Sequence, residues 1–507
     1  MASRIHSKWL VLAATAAILV TACGGSTTSP APASAPAVTP PATSVGTATP
    51  PPASQAGATA TAAAETPVGA ATPVPTPLPP ETGSSCAASA TEVKFWTSHT
   101  PPDSDSIKGV VDAFNTANPD ICVKMQRVLG SETDVAVLVT AMQGGAAPDV
   151  YEADRFTVPQ RAAANVLAKL PDAVAATKDK FLPFAWNETQ FQGGTYALPF
   201  DTDARALFYN KDMLTAAGVD PAMITKMDDA IKNNAPITWD DVAAIAAKVT
   251  KVDANGDFTQ MGFYPYQGPN GNATQAWHYT YGFSFGGSFY DAASCKVTPD
   301  DPNIVKGFTW LHDYVKTLDP AKLQRFSSTN YPPNYPTSAD PFLNGKVAMV
   351  VTGDWNFANQ AKYAPTTKYG FTLMPVPAAG DKSATWAGGW SMALIPGSKN
   401  PDQAIKFMQY ITGPEGEKVY TKETTHLPVW KDLLNDPTLY DANHALFIPL
   451  LAGAKNRPPL PVGAKYWDAL TDAQNAVVQK LADPATELKA VADAVNPDLQ
   501  QFCPLGP

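Results

Sequence analysis

The chain has 507 residues, of which 45% are apolar and 16% charged, and a formal net charge of −10. An acidic chain argues against nucleic acid or an anionic membrane surface as its partner, and the part from Cys86 onward is long enough for two lobes of ordinary domain size. Of its five cysteines, Cys23 stands alone near the start, and Cys86, Cys122, Cys295 and Cys503 fall in the rest of the chain.

The start "MASRIHSK" supplies Arg4 and Lys8 without an acid, and Trp9–Val20 is an apolar run interrupted only by Thr15. That is a basic segment followed by a hydrophobic one too short for a membrane span of roughly 20 residues. Val20-Thr21-Ala22-Cys23 resembles the bacterial lipobox, in which small residues precede a lipidated cysteine. The resemblance implies that residues 1–22 are a lipoprotein signal peptide and that Cys23 becomes an acylated N-terminus. Removing Arg4 and Lys8 with it leaves a charge of −12. Each buried methylene of an anchor is worth about 0.8 kcal/mol, and more than one acyl chain holds a soluble domain at a membrane. Residues 24–85 contain no Lys, Arg or aromatic residue and only Glu65 and Glu81 as acids. Such a segment cannot bury enough apolar surface to offset its ordering entropy, so residues 23–85 are expected to be a disordered tether. Its prolines stiffen it toward ~3.1 Å per residue, a reach on the order of 100 Å.

Thr91–His99, "TEVKFWTSH", has the β-branched and aromatic content of a strand. "SIKGVVDAFNTANPD" spaces Ile107, Val110, Val111 and Phe114 three and four apart, the stripe of an amphipathic helix. "ICVKMQRV" reads as a second strand, "TDVAVLVTAMQGG" as a second helix and "PDVYEA" as a third strand. Strands alternating with helices indicate βαβ units and a parallel sheet. Cys86 precedes the first strand and Cys122 opens the second. Four cysteines in an exported chain allow three connectivities. Neighbouring parallel strands bring their starts together, which favours Cys86–Cys122 and leaves Cys295–Cys503 by elimination. Further along, Thr238 and Asp241 form a capping box. "KVAMVVTGDW" and "WSMALIP" read as strands, and Asn400-Pro401 opens a helix whose apolar face is Ala404, Ile405, Met408 and Ile411.

The chemistry that is missing narrows the function. The six histidines are scattered, none in metal-ligand spacing, and no phosphate-cradling glycine loop is present. "GGWSMA" around Ser391 lacks the second glycine of a nucleophile elbow. "DANGD" at Asp253–Asp257 begins like a calcium loop. Phe258 stands in the glycine position and Tyr264 in the place of the bidentate Glu, so it reads as a polar turn. No catalytic residue, metal or cofactor is expected, and the chain is not read as an enzyme. The positive signal is a set of aromatic residues beside polar or glycine residues at element ends: Trp96, Trp277, Tyr281, Trp355, Trp390 and Trp467. Rings at strand ends suit sugars, whose C–H faces stack on them while the hydroxyls reach polar groups.

From about Val93 to Ala482 the sequence resembles the extracellular solute-binding proteins of bacterial ABC sugar importers, the maltose-binding-protein-like family 1. The resemblance is carried by "VKFWTS", "AFNTANPDICVKM", "GGAAPDVYEADRF", "GGTYALPFDTDARALFYNKDMLTAAGVD", "FLNGKVAMVVTGDW" and "GGWSMALIPGSKNPDQAIKFMQYITGPEGEKVY", in that order. It implies an α/β, two-lobe periplasmic-binding-protein-like fold of type II. Each lobe is then a mixed sheet flanked by helices, with hinge strands joining them and a ligand cleft between. The implied division is 86–204 for the first part of lobe 1, 205–386 for the first part of lobe 2, 387–426 for the return to lobe 1 and 427–507 for a C-terminal helical part of lobe 2. It also implies a role for each matching residue. Asp154 and Arg155 contact sugar from the first lobe, Asp203 is a hinge-side acid, and Trp355 and Trp467 stack on the ligand. Trp96, Trp277, Tyr281 and Trp390 complete the expected cleft, although the segment Trp277–Tyr290 departs from the family pattern. The expected protein is thus a monomeric receptor, lipid-anchored at the outer face of the cell membrane. It captures a sugar or oligosaccharide and delivers it to an ABC permease. The alternatives are a receptor for a non-sugar solute, which would place more acids or histidines in the cleft, and an anchored carbohydrate-active enzyme.

Overall fold

The computed structural model describes residues 86–128, 133–265, 277–332 and 336–505. The expected signal peptide, Cys23 and the tether lie outside them. The first five-stranded sheet runs in the order Ile121–Arg127, Thr91–Thr97, Val150–Asp154, Trp390–Leu394, Ala197–Pro199. Its first three strands are parallel, as the βαβ reading expects, and Trp390–Leu394 joins antiparallel to Val150–Asp154. Alternation along Thr91–Thr97 puts Phe95 into one hydrophobic cluster with Val110, Phe114 and Phe407, and Trp96 into another with Leu138, Ala153 and Val158. Both faces of this sheet are therefore covered, the usual state of parallel strands.

The second sheet runs Tyr369–Thr372, Arg205–Asn210, Val347–Gly353, Phe258–Phe263, Lys251–Val252. Helix Trp239–Val249 packs on it behind a reciprocal capping box. The Thr238 hydroxyl accepts from Asp241 N, and the Asp241 carboxylate accepts from Thr238 N, each at 3.0 Å. Helix Pro401–Ile411 carries Pro401 in its first turn, but the Asn400 side chain makes no cap; it donates instead to Glu92 O at 2.9 Å and ties the helix to the first strand. The C-terminal helices Gly463–Lys480 and Pro484–Leu499 bury Leu470, Val477, Leu488 and Val495 in the second-sheet core. Val429 still packs in the first-sheet core, a few residues past the expected return segment.

The chain passes between the sheets along short paired segments. Asp201–Thr202 pairs antiparallel with Leu427–Pro428, and Trp386–Ala387 pairs parallel with Lys455–Asn456. The lobes also touch directly. Gln160 Oε1 accepts from Ala464 N at 2.6 Å, the Thr133 hydroxyl donates to Asp468 at 2.9 Å, and the Thr337 hydroxyl donates to Pro101 O at 3.2 Å. Disulfides join Cys86 to Cys122 and Cys295 to Cys503, with Cα atoms 5.7 and 6.2 Å apart. The first links the starts of two neighbouring parallel strands, and the second pins the tail after the last helix.

Candidate functional site

Polar groups that belong in a core only when paired gather where the two lobes meet. At the end of Val150–Asp154 the chain turns into Arg155–Thr157, and the two residues of the expected Asp-Arg pair part company. Asp154 is buried and takes the fork of Arg457, with Nη1 donating to Oδ2 at 2.8 Å and Nη2 to Oδ1. The guanidinium of Arg457 lies over Phe156 at 4.4 Å, Trp467 at 5.4 Å and Trp386 at 5.7 Å. Arg155 is fully buried. Its Nε donates to Glu188 at 2.7 Å, and its two terminal nitrogens donate to the carbonyls of Asp201 and Gly388. It ties the first sheet to the hinge segments. Gly389 makes this approach feasible, since its φ of +130° favours glycine and a Cβ there would strike Arg155 Nη1 and Asp201 O. Asp203 accepts from Gly388 N at 2.6 Å and from Arg205, whose guanidinium lies 3.8 Å over Trp386 and 4.8 Å over Trp355.

A second group lies around Trp355 and Trp390. His99 Nε2 is 3.3 Å from Glu152, and His99 Nδ1 is 3.8 Å from Asp103. His426 is 3.8 Å from Asp103 and 3.6 Å from Asp201. The His426 ring stacks on Tyr420 at 5.4 Å and on Trp355 at 5.5 Å, and His99 meets Trp390 at 4.7 Å. From the second lobe Asp354 accepts Leu427 N at 3.0 Å through a carboxylate oxygen and the Thr425 hydroxyl at 2.8 Å through its carbonyl. Burial works against charge on His426, but the hydrogen bond to Asp103 and the charges of Asp201, Asp103 and Asp354 outweigh it and raise its pKa to about 9. Burial pushes Asp354 up to about 7, against the pull of His426 and Arg205. Burial likewise raises Asp201, and His99 is raised because Glu152, Asp103 and Asp201 outweigh its desolvation.

The expected site residues divide. Asp154, Asp203, Trp355, Trp390 and Trp467 come together at the lobe interface. Trp467 is stacked on Phe156 at 4.6 Å and is 1% exposed, whereas Trp355 and Trp390 are half-buried. Trp96 and Tyr281 pack in the lobe cores, Tyr281 against Trp239 and Trp310 with its hydroxyl on Pro265 O at 2.7 Å. Trp277 opens helix Trp277–Ser284 and is buried in the second-lobe core. Its neighbour His278 is the residue that reaches the interface, edge-on to Trp467 at 4.8 Å. Burial, then the charge of Arg457, lowers the His278 pKa to about 3. Sequence reasoning missed Arg457, Arg205, His278, His99 and His426. Arg457 stands in the loop-like "KNRPPLPVG" and the histidines are far apart in sequence, so none carries a local signal. The turn at Asp253–Asp257 is closed internally. Asp253 accepts from Asn255 N and Asp257 N at 2.9 Å each, and Arg325 takes the Asp257 carboxylate. Among the described residues no group of three or more His, Cys, Asp or Glu side chains is arranged to hold a metal ion.

Two mixed sheets joined by crossing segments, with aromatic and charged residues gathered between them, define a two-lobe binding protein. The family described as bacterial extracellular solute-binding protein matches residues 98–418, and the chain belongs to it. The sn-glycerol-3-phosphate-binding periplasmic protein UgpB of Escherichia coli is 25% identical over 391 residues, covering 74% of this chain and 83% of its own. Among solved structures, the GacH receptor of Streptomyces glaucescens, determined unliganded and with acarbose, is 24% identical with a TM-score of 0.66. It covers 81% of this chain and 99% of its own. Maltose-bound MalE3 of T. maritima is 22% identical with a TM-score of 0.65, covering 82% of this chain and all of its own.

Proposed function

We propose that this solute-binding protein captures a saccharide between its lobes and delivers it to an ABC importer. The observation that carries the reading is the gathering of rings and ion pairs at the lobe interface: Arg457 holds Asp154 and lies over Trp467 and Trp386, and Arg205 holds Asp203 and lies over Trp355. Flat apolar faces next to oriented acceptors are what a sugar ring and its hydroxyls require. Asp154 and Asp203 come from the first lobe or the hinge, and Trp355 and Trp467 from the second, while Arg155, expected to contact sugar, is spent on Glu188 and two hinge carbonyls. A ligand touching both sets is held fully only when the lobes are shut, which gives a permease a closed shape to recognise. Arg457 and Arg205 already hold the two carboxylates, so the ligand meets ion pairs whose guanidinium forks can also donate to hydroxyls. Binding without turnover is the role proposed, and incubation with oligosaccharides should return them intact.

The chain is further proposed to be monomeric and tethered to the outer face of the cell membrane through lipidated Cys23. The support is the lipobox-like Val20-Thr21-Ala22-Cys23 after an apolar run. Cys23→Ala should move the protein out of the membrane fraction, and unchanged retention there would refute the anchor. The ligand class is tested by thermal shift against mono- and oligosaccharides. At least one should raise the melting temperature, and a panel without any response would remove the saccharide reading.

A further inference from the structure

Consecutive residues at the end of a first-lobe helix hold a turn of the second lobe. Helix Pro414–Thr424 packs Tyr420 into the first-sheet core, and the chain that leaves it pairs Leu427–Pro428 with Asp201–Thr202. Residues 354–358 follow strand Val347–Gly353 of the second sheet and carry Trp355. Ala358 N donates to the Thr425 hydroxyl oxygen at 3.2 Å, and the Thr425 hydroxyl proton is shared between Asp354 O at 2.8 Å and Thr424 O at 2.6 Å. Leu427 N donates to the Asp354 carboxylate at 3.0 Å. Between these bonds the His426 ring stacks on Trp355 at 5.5 Å. Trp355 is thus held on both sides along its own chain. Gly353 completes the seat, since a Cβ there would strike the indole.

Thr425 holds this turn from a strained backbone. It adopts φ +63° and ψ +7°, the left-handed conformation. Among the described non-glycine residues with positive φ it is the only β-branched one, and for such a side chain this region is a genuine outlier. The helix needs a left-handed residue here whose N–H closes the last turn, and Thr425 N does so by donating to Thr421 O at 3.0 Å. Glycine would serve that purpose without strain. Helix closure therefore does not account for a threonine. The hydroxyl does, because glycine could offer nothing to Asp354 O and Ala358 N. Strain of this kind persists only where surrounding contacts enforce it, and it gathers at functional sites.

We infer that Thr425 is a positioning residue for ligand binding, one that fixes the turn carrying Trp355 against the first lobe in the arrangement that receives the ligand. The inference rests on the saccharide reading above, in which Trp355 is the stacking ring. Thr425 acts through that ring and does not itself touch the ligand. A ring already held in place spares the ligand the entropy of ordering it, which is how a preorganised site gains affinity. Because the contacts run from a first-lobe helix to a second-lobe turn, they also tie the placement of the ring to the angle between the lobes.

Thermal shift of the full chain with glucose, galactose, mannose, maltose, cellobiose and mannobiose selects the sugar for isothermal titration. Thr425→Val keeps the branched Cβ but removes the hydroxyl, and should weaken binding about tenfold, the effect of one or two hydrogen bonds. Thr425→Ser restores the hydroxyl and should bind within about threefold of the parent. Thr425→Gly accepts the backbone conformation freely yet should bind as weakly as Thr425→Val, and this arm stands even if the valine variant fails to fold. In a Trp355→Ala background Thr425→Val should cost no further affinity, because the two residues act as one unit. Parent-like binding by Thr425→Gly would reduce Thr425 to a helix cap, overturning the inference and leaving the saccharide receptor standing. A full tenfold loss in the Trp355→Ala background would show that Thr425 acts elsewhere, which also overturns it. A panel in which no sugar shifts the parent overturns the inference together with the saccharide reading.

Discussion

Both sides of the lobe interface bury carboxyl groups, but they neutralise them with different bases. On the Arg457 side Asp154, Glu188 and Asp203 each meet a guanidinium, which keeps its charge at every accessible pH. On the His426 side Asp103, Glu152 and Asp201 share two imidazoles, whose charge depends on their surroundings. The first arrangement is permanent scaffolding that aligns hinge segments and strand ends. The second is held by groups that titrate, so its pairing changes with pH while the first does not.

Three experiments would break or sharpen this contrast. The largest effect is expected from Arg457→Met, which leaves Asp154 buried without its partner. Breaking one side of a buried pair costs about 3–5 kcal/mol, so the urea midpoint should fall strongly. A small change would mean that Asp154 is served by other groups.

The two sides should next differ in pH dependence, through His278 and His426. The folded pKa of His426, about 9, is raised above its ordinary 6.5. Its contribution to stability is fully present below pH 6.5 and is lost as pH rises through 9, on the order of 3 kcal/mol. The folded pKa of His278, about 3, is lowered from 6.5, so its penalty is absent above pH 6.5 and grows as pH falls toward 3. Between pH 6.5 and 4 that amounts to roughly 3 kcal/mol. Urea midpoints measured from pH 4 to 9 should show a shallower alkaline fall in His426→Gln. They should show a shallower acid fall in His278→Gln, with His444, lowered to about 4 mainly by burial, keeping part of the acid limb. Parallel curves for parent and both variants would contradict the opposed assignment.

The smallest effect is expected at the rim. Lys362 and Asp105 face each other across the lobes at 3.9 Å, both exposed. Such pairs contribute at most about 1 kcal/mol and are screened by salt. Lys362→Ala should change ligand affinity less than tenfold, with the difference shrinking further in high salt.

How much was legible follows from where the signals lie. Thr91–Thr97 and helix Asp103–Ala117 announce themselves by local periodicity, and their register brings the strand starts bearing Cys86 and Cys122 together. The motifs around Asp154, Asp203, Trp355 and Trp467 led to the lobe interface. Trp96 looked like a cleft residue from its polar neighbours, but a strand covered on both faces gives its alternate residues no open side. Every residue of Trp277–Ser284 is buried, so no stripe distinguished Tyr281, which packs inward, from His278, which faces Trp467. Arg457, His99 and His426 owe their surroundings to chain crossings, and no window of sequence contains those.

The central claim is that a saccharide is gripped between the lobes on the ring of Trp355, a half-buried residue whose removal spares both cores. The most direct measurement is calorimetric titration of the parent and Trp355→Ala with the saccharide that gives the largest thermal shift. Losing the ring should remove about 1–3 kcal/mol, weakening binding roughly ten- to a hundredfold. Affinity equal to that of the parent would contradict the placement of the ligand between the lobes at Trp355.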